Sequence, residues 1–166
     1  MGHVPQSRFL AQAAGDLLRE RHLTLAVAES CTGGLLAAYI TDIPGSSDYF
    51  AGGVIAYSNG VKHHVLGVPV STLQHYGAVS AKTARAMARG VRRLLNVDLA
   101  LAVTGIAGPT GGTPEKPVGL VYIALSSAQG ELCKEFHWAG DRWKNRELSV
   151  RAALELLQEY LLSSKS

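Results

Sequence analysis

Leu99-Ala100-Leu101-Ala102-Val103 is an unbroken apolar run, entered from Asp98 and left through a Gly- and Pro-rich stretch that extends from Thr104 to Pro117. A short apolar run bounded by turn residues suits a strand, Asp98 to Val103, buried on both faces. Such a strand needs helices above and below it, and the rest of the chain offers them. Phe9 to Arg21 spaces its apolar residues as an amphipathic helix does, and Gly33 to Ile40 reads as a helix stopped by Pro44-Gly45. Ser80 to Leu95 reads as a helix with Ser80 as its N-cap, and Arg142 to Leu162 as a long closing helix. Leu23 to Ala28 and Phe50 to Ser58 read as further strands, and Asn59 to Leu66 as one or two helical turns. Gly119 to Ser126 and Glu131 to Trp138 predict a hairpin across Ala128-Gln129-Gly130. Strands alternating with helices predict an α/β fold, a three-layer α/β/α sandwich around a mixed, mostly parallel sheet. No repeat or linker divides the chain, so residues 1–166 read as one domain.

Composition narrows the function. With 47% hydrophobic and 17% charged residues, the chain is no disordered segment. No apolar run approaches the roughly 20 residues of a membrane span. The N-terminus, Met1 to Gln6, lacks the apolar stretch of a signal peptide. The expectation is a cytoplasmic protein with no membrane partner, and two cysteines, Cys31 and Cys133, agree with a reducing compartment. Sixteen basic against thirteen acidic residues give a net charge of +3, too mild to demand a nucleic acid, and none is expected as partner. Lys82, Arg85, Arg89 and Arg92 line one helical face, which reads as a solvated outer face. Metal-ligand spacings are absent and the adjacent His63 and His64 diverge on a helix, so neither a metal nor a cofactor is expected.

Open α/β sheets bind ligands at the carboxyl ends of their strands. Three segments occupy such places. Glu29-Ser30-Cys31-Thr32-Gly33-Gly34 joins a strand to a helix, where glycines allow close backbone approach and free N–H groups can hold an oxyanion. Ser30 there either caps the helix or attacks a carbonyl. Cys31 is the rival nucleophile, with His63 or His64 as possible base. Tyr57 to Lys62 (YSNGVK) follows the second strand and brings a lysine to the same sheet edge. A lysine serves a serine as general base when burial lowers its pKa. The third segment, from Thr104 to Gly112, can form a backbone nest for a phosphate, with hydroxyls from Thr104 and Thr110. Arg142, Lys144 and Arg146 open the last helix, and one of them could pair with a phosphate or carboxylate.

The stretches AESCTGG (Ala28 to Gly34), YSNGVK (Tyr57 to Lys62) and TGIAGPTGGTPEKPVGLV (Thr104 to Val121), in this order, resemble the C-terminal domain family of the competence/damage-inducible protein CinA. Stand-alone members of that family are nicotinamide mononucleotide deamidases, and the chain resembles such a single-domain form. The resemblance implies an anticodon-binding-like α/β/α fold and self-association into a homo-oligomer. By matching position it implies Ser30 as nucleophile, Lys62 as general base and Tyr57 as their support. It places Cys31, Thr32, Gly33 and Gly34 at the oxyanion hole or substrate. Thr104, Gly105 and Gly108 would line the nucleotide pocket, with Arg146, or its neighbour Arg142, on the phosphate or ribose. The implied substrate is nicotinamide mononucleotide, and the implied alternative is a non-catalytic nucleotide-binding module linked to competence or DNA damage.

Overall fold

A computed structural model describes residues 5–164, so the N-terminal reading of Met1 to Val4 lies outside the described residues. Its elements are α1 (Gln6–Glu20), β1 (Leu25–Glu29), α2 (Leu35–Thr41), β2 (Phe50–Ile55), α3 (Asn59–His64), α4 (Val70–Tyr76), α5 (Ala81–Leu94), β3 (Leu99–Gly105), β4 (Leu120–Ser127), β5 (Gly130–His137) and α6 (Arg142–Ser163). One five-stranded sheet has the order β2-β1-β3-β4-β5. β1 pairs in parallel with both β2 and β3, and β4 pairs antiparallel with β3 and β5. Only β4 therefore runs against the rest, which is the mixed, mostly parallel sheet expected.

Side-chain size sorts the two faces. Along β1, β3 and β4, Leu25, Val27, Leu101, Val103, Ile123 and Leu125 project into a core shared with α1, α2 and α6. The alternate residues, Ala26, Ala28, Ala100, Ala102 and Ala124, meet α5. Successive side chains of a strand point to opposite faces. Large residues fill the space under three helices, and alanines let the single helix α5 sit close. Every residue from Leu99 to Thr104 is buried, as the apolar run predicts.

Some boundaries differ from the sequence reading. α4 goes unpredicted: none of its residues is fully buried, and only Thr72 and Leu73 are partly so. Thr104 and Gly105 extend β3 instead of opening the loop, because β4 continues to pair with them through Tyr122 and Val121. Asp98 stays outside the strand; its carboxylate accepts hydrogen bonds from the Thr24 amide and hydroxyl, both at 2.8 Å. Ser80 does cap α5, accepting from the Thr83 amide at 3.1 Å. The basic stripe on α5 is not simply solvated. Arg89 pairs with Glu131 at 3.2 Å, and Arg92 donates to the Asp98 carbonyl at 3.0 Å.

Candidate active site

The register opposes Glu29 to Ile55 on one side and to Val103 on the other. The three parallel strands thus end together, and their following loops share one edge of the sheet. β1 lies between its two parallel neighbours, so this edge is also where the chain order reverses, the usual place for a ligand in an open α/β sheet.

Ser30 and Lys62 meet there. Lys62 Nζ stands 3.0 Å from Ser30 Oγ, 2.8 Å from the Ala56 carbonyl and 3.1 Å from the Tyr57 carbonyl. α3 delivers the lysine: Ser58 caps that short helix by accepting from the Val61 amide, and Lys62 lies one position further on. Although it is a lysine, only 1% of it is exposed, and no carboxylate pairs with it among the described residues. Burial holds its pKa below the ordinary lysine value, with the Cys31 thiol opposing weakly.

The three contacts fit both charge states of the amine. An ammonium has three protons for three oxygens. A neutral amine keeps two protons for the Ala56 and Tyr57 carbonyls and turns its lone pair to Ser30, whose hydroxyl then donates. Loss of one proton leaves no partner unsatisfied. An alcohol hydrogen-bonded to a neutral amine is a nucleophile beside its base.

Cys31 is also buried, and burial pushes its thiol up to about 12. A thiol with that pKa is protonated at neutral pH and is a poor nucleophile. His63, one of its two candidate bases, bonds the Val68 carbonyl through Nδ1 at 2.8 Å. Ser30 is the better-equipped of the two rivals.

The turn after Ser30 leaves donors open, though not those a helix start suggests. Glu29, just before Ser30, takes the amides of Leu36 and Ala37 at 2.8 and 3.1 Å, and the Leu35 amide bonds the Thr32 carbonyl. The Gly33 amide bonds the Ser30 carbonyl. Among the described residues, the amides of Cys31, Thr32 and Gly34 donate no hydrogen bond to another residue's backbone. Gly34 sits at φ +100°, a conformation that glycine adopts without strain. The amides left open therefore belong to the turn and not to α2, and the Gly33 amide is held by the Ser30 carbonyl.

Two arginines one turn apart on α6 close the edge. Arg146 donates to the Cys31 carbonyl at 3.2 Å and to the Thr32 carbonyl at 2.9 Å. Arg142 donates to the Gly108 carbonyl at 2.8 Å and to the Tyr57 hydroxyl at 3.2 Å. Both guanidinium groups are thus held by the loops they face. Tyr57 supports Lys62 through its backbone carbonyl, while its hydroxyl belongs to Arg142. Thr104 gives its hydroxyl to the Ala78 carbonyl at 2.7 Å. At Gly105, a Cβ would stand 2.6 Å from a Val121 methyl, so this glycine serves the approach of β4. Gly108 joins the site through the carbonyl that Arg142 holds. Sequence reading assigned Glu29 no role of its own; a Glu ending an apolar strand carries no signal that its carboxylate turns inward.

Residues 7–161 match the family model of the CinA C-terminal domain. A CinA-like protein of Geobacter metallireducens is 54% identical over 147 residues, covering 89% of this chain and 36% of that protein. Another CinA-like protein, of Syntrophus aciditrophicus, is 52% identical over 158 residues, covering 95% of this chain and 38% of that protein. The chain spans little more than a third of the length of these curated relatives. The crystal structure of competence/damage inducible protein CihA from Agrobacterium tumefaciens superposes with a TM-score of 0.93 at 41% identity, covering 98% of this chain and 100% of that one. Family model, relatives and fold agree, and the chain belongs to the CinA C-terminal domain family.

Proposed function

We propose that the protein is a metal-independent amidohydrolase that converts nicotinamide mononucleotide to nicotinate mononucleotide and ammonia. The observation that carries this reading is the buried Lys62 amine at 3.0 Å from Ser30 Oγ, beside the unoccupied donors of the Cys31–Gly34 turn. Ser30 Oγ attacks the carboxamide carbon while Lys62 Nζ takes the hydroxyl proton. The carbonyl oxygen becomes an oxyanion facing the open amides. Collapse breaks the C–N bond, and the third proton of Lys62 passes to the leaving nitrogen, which departs as ammonia. Lys62 is neutral again and takes a proton from water; the resulting hydroxide attacks the ester. The acid leaves, and Ser30 recovers its proton from Lys62.

The same edge suits the substrate's charges. Its pyridinium is cationic and its phosphate anionic, so a near-neutral site with local donors serves it better than a large basic patch. Exposed Ile55, Tyr57 and Trp143 at the rim support self-association over that face in a homo-oligomer.

Ammonia release from nicotinamide mononucleotide, assayed on wild type and Ser30→Ala, tests the reading. Turnover by wild type and silence of the variant support it. Tight nucleotide binding without product by the wild type would replace it with the non-catalytic module.

A further inference from the structure

A helix start leaves amides without partners, and Ser, Thr, Asp or Asn at the N-cap ordinarily accepts from one of them. The N-cap of α2 is Gly34, which has no side chain to offer. Glu29 supplies the missing acceptors from the end of β1: Oε1 takes the Leu36 amide at 2.8 Å and Oε2 the Ala37 amide at 3.1 Å. Its side chain is 1% exposed, and no Lys or Arg pairs with it among the described residues. These two bonds are its only side-chain hydrogen bonds there.

This arrangement acts on the residue next door. Glu29 is fixed in the sheet by its backbone, in register with Ile55 and Val103, and on α2 by its carboxylate. The five residues from Ser30 to Gly34 span the gap between those two anchors. Serine is itself a preferred capping residue. With the cap provided by Glu29, the Ser30 hydroxyl is released from α2 and turns to Lys62 instead. The turn amides are released in the same way.

We infer that Glu29 is a positioning residue for the Ser30–Lys62 pair, capping α2 from the strand so that the Ser30–Gly34 turn presents its hydroxyl to the amine and its free amides to the site. The inference rests on the nucleophile reading of Ser30.

Glu29→Gln and Glu29→Asp test it with two readouts: ammonia release from nicotinamide mononucleotide, and the rate at which an aryl fluorophosphonate labels Ser30, followed by intact mass. Glutamine keeps the size but sets an amide N–H₂ against a backbone N–H. The expected result in Glu29→Gln is at least a tenfold loss in both kcat and labelling rate, with KM within twofold and the pH midpoint of kcat/KM unmoved. Aspartate keeps both acceptors on a shorter stem and recovers part of each rate. A folded Glu29→Gln protein with both rates within twofold of wild type overturns the inference. If Glu29→Gln fails to fold, Glu29→Asp decides: labelling slowed more than twofold with a native circular dichroism spectrum supports the role, and labelling within twofold of wild type overturns it. A wild type that releases no ammonia fails the amidase reading alone, and the labelling rates still decide the part played by Glu29.

Discussion

Lys62 Nζ reaches Ser30 Oγ at 3.0 Å across 32 residues of chain, and its two other contacts are main-chain carbonyls. Carbonyls accept hydrogen bonds without carrying a full charge, so they hold the amine without stabilising its cation as a carboxylate would. The lysine is thereby kept in place, while burial favours its neutral form over the ordinary case.

Loss of either partner removes the same step. Ser30→Ala and Lys62→Met should each lower kcat for ammonia release by about 10³-fold or more, and the double variant should lose no more than the worse single. Steady-state assays on the three folded proteins check this; additive losses would show that the two side chains act separately.

Acid should silence the enzyme and weaken the fold through the same group. If neutral Lys62 is the base, as proposed, kcat/KM should rise with pH through the depressed lysine pKa and fall below it. For stability, the unfolded lysine titrates near its ordinary 10.5, above the folded value. Between the two, the unfolded chain binds a proton that the native chain does not, so stability rises with pH across that window. Urea unfolding of wild type and Lys62→Met over a pH series should show the wild type gaining on the variant as pH increases. Parallel curves would mean that Lys62 is charged in the native state.

Arg146→Lys separates two roles. A guanidinium spans the carbonyls of Cys31 and Thr32, which a single ammonium cannot hold in the same geometry. If its part is to hold the turn, kcat should fall roughly tenfold to hundredfold with KM little changed. A rise in KM at constant kcat would instead assign it to substrate binding.

Thiol reagents should leave turnover intact. With its pKa pushed up to about 12, buried Cys31 presents almost no thiolate near neutral pH. Iodoacetamide treatment followed by activity assay and peptide mapping is expected to show unmodified Cys31 and full activity. Inactivation that tracks Cys31 labelling would restore the cysteine mechanism.

Thr104→Val should act on stability. The change keeps the shape of the side chain but strips the Ala78 carbonyl of its 2.7 Å donor, at a cost of about 1–3 kcal/mol. Urea titration would register this loss, with kcat within about threefold of wild type; a selective fall in kcat would return Thr104 to the nucleotide pocket.

The sandwich was legible because burial on two faces leaves a contiguous apolar signature, as in Leu99 to Val103. The Ser30 turn and Lys62 could be located one at a time, each as a polar group following a strand. Their contact followed only from the family resemblance, since no spacing rule joins residues brought together by adjacent parallel strands. α4 escaped notice because it buries little beyond part of Leu73, and the role of Glu29 because its carboxylate points inward from a position where polar residues usually meet water. Arg146 was noticed, but its partners lie 115 and 114 residues earlier, and no local pattern foretells a guanidinium that grips main-chain carbonyls.

Arg142 and Arg146 sew the loops after β1, β2 and β3 together from the last helix of the chain. A ribosome making this protein releases Ser30 and Lys62 long before those stitches exist. The turn that carries Ser30 acquires its outer restraint only when α6 docks, so chemical competence should arrive late in folding, close to completion of the whole sandwich.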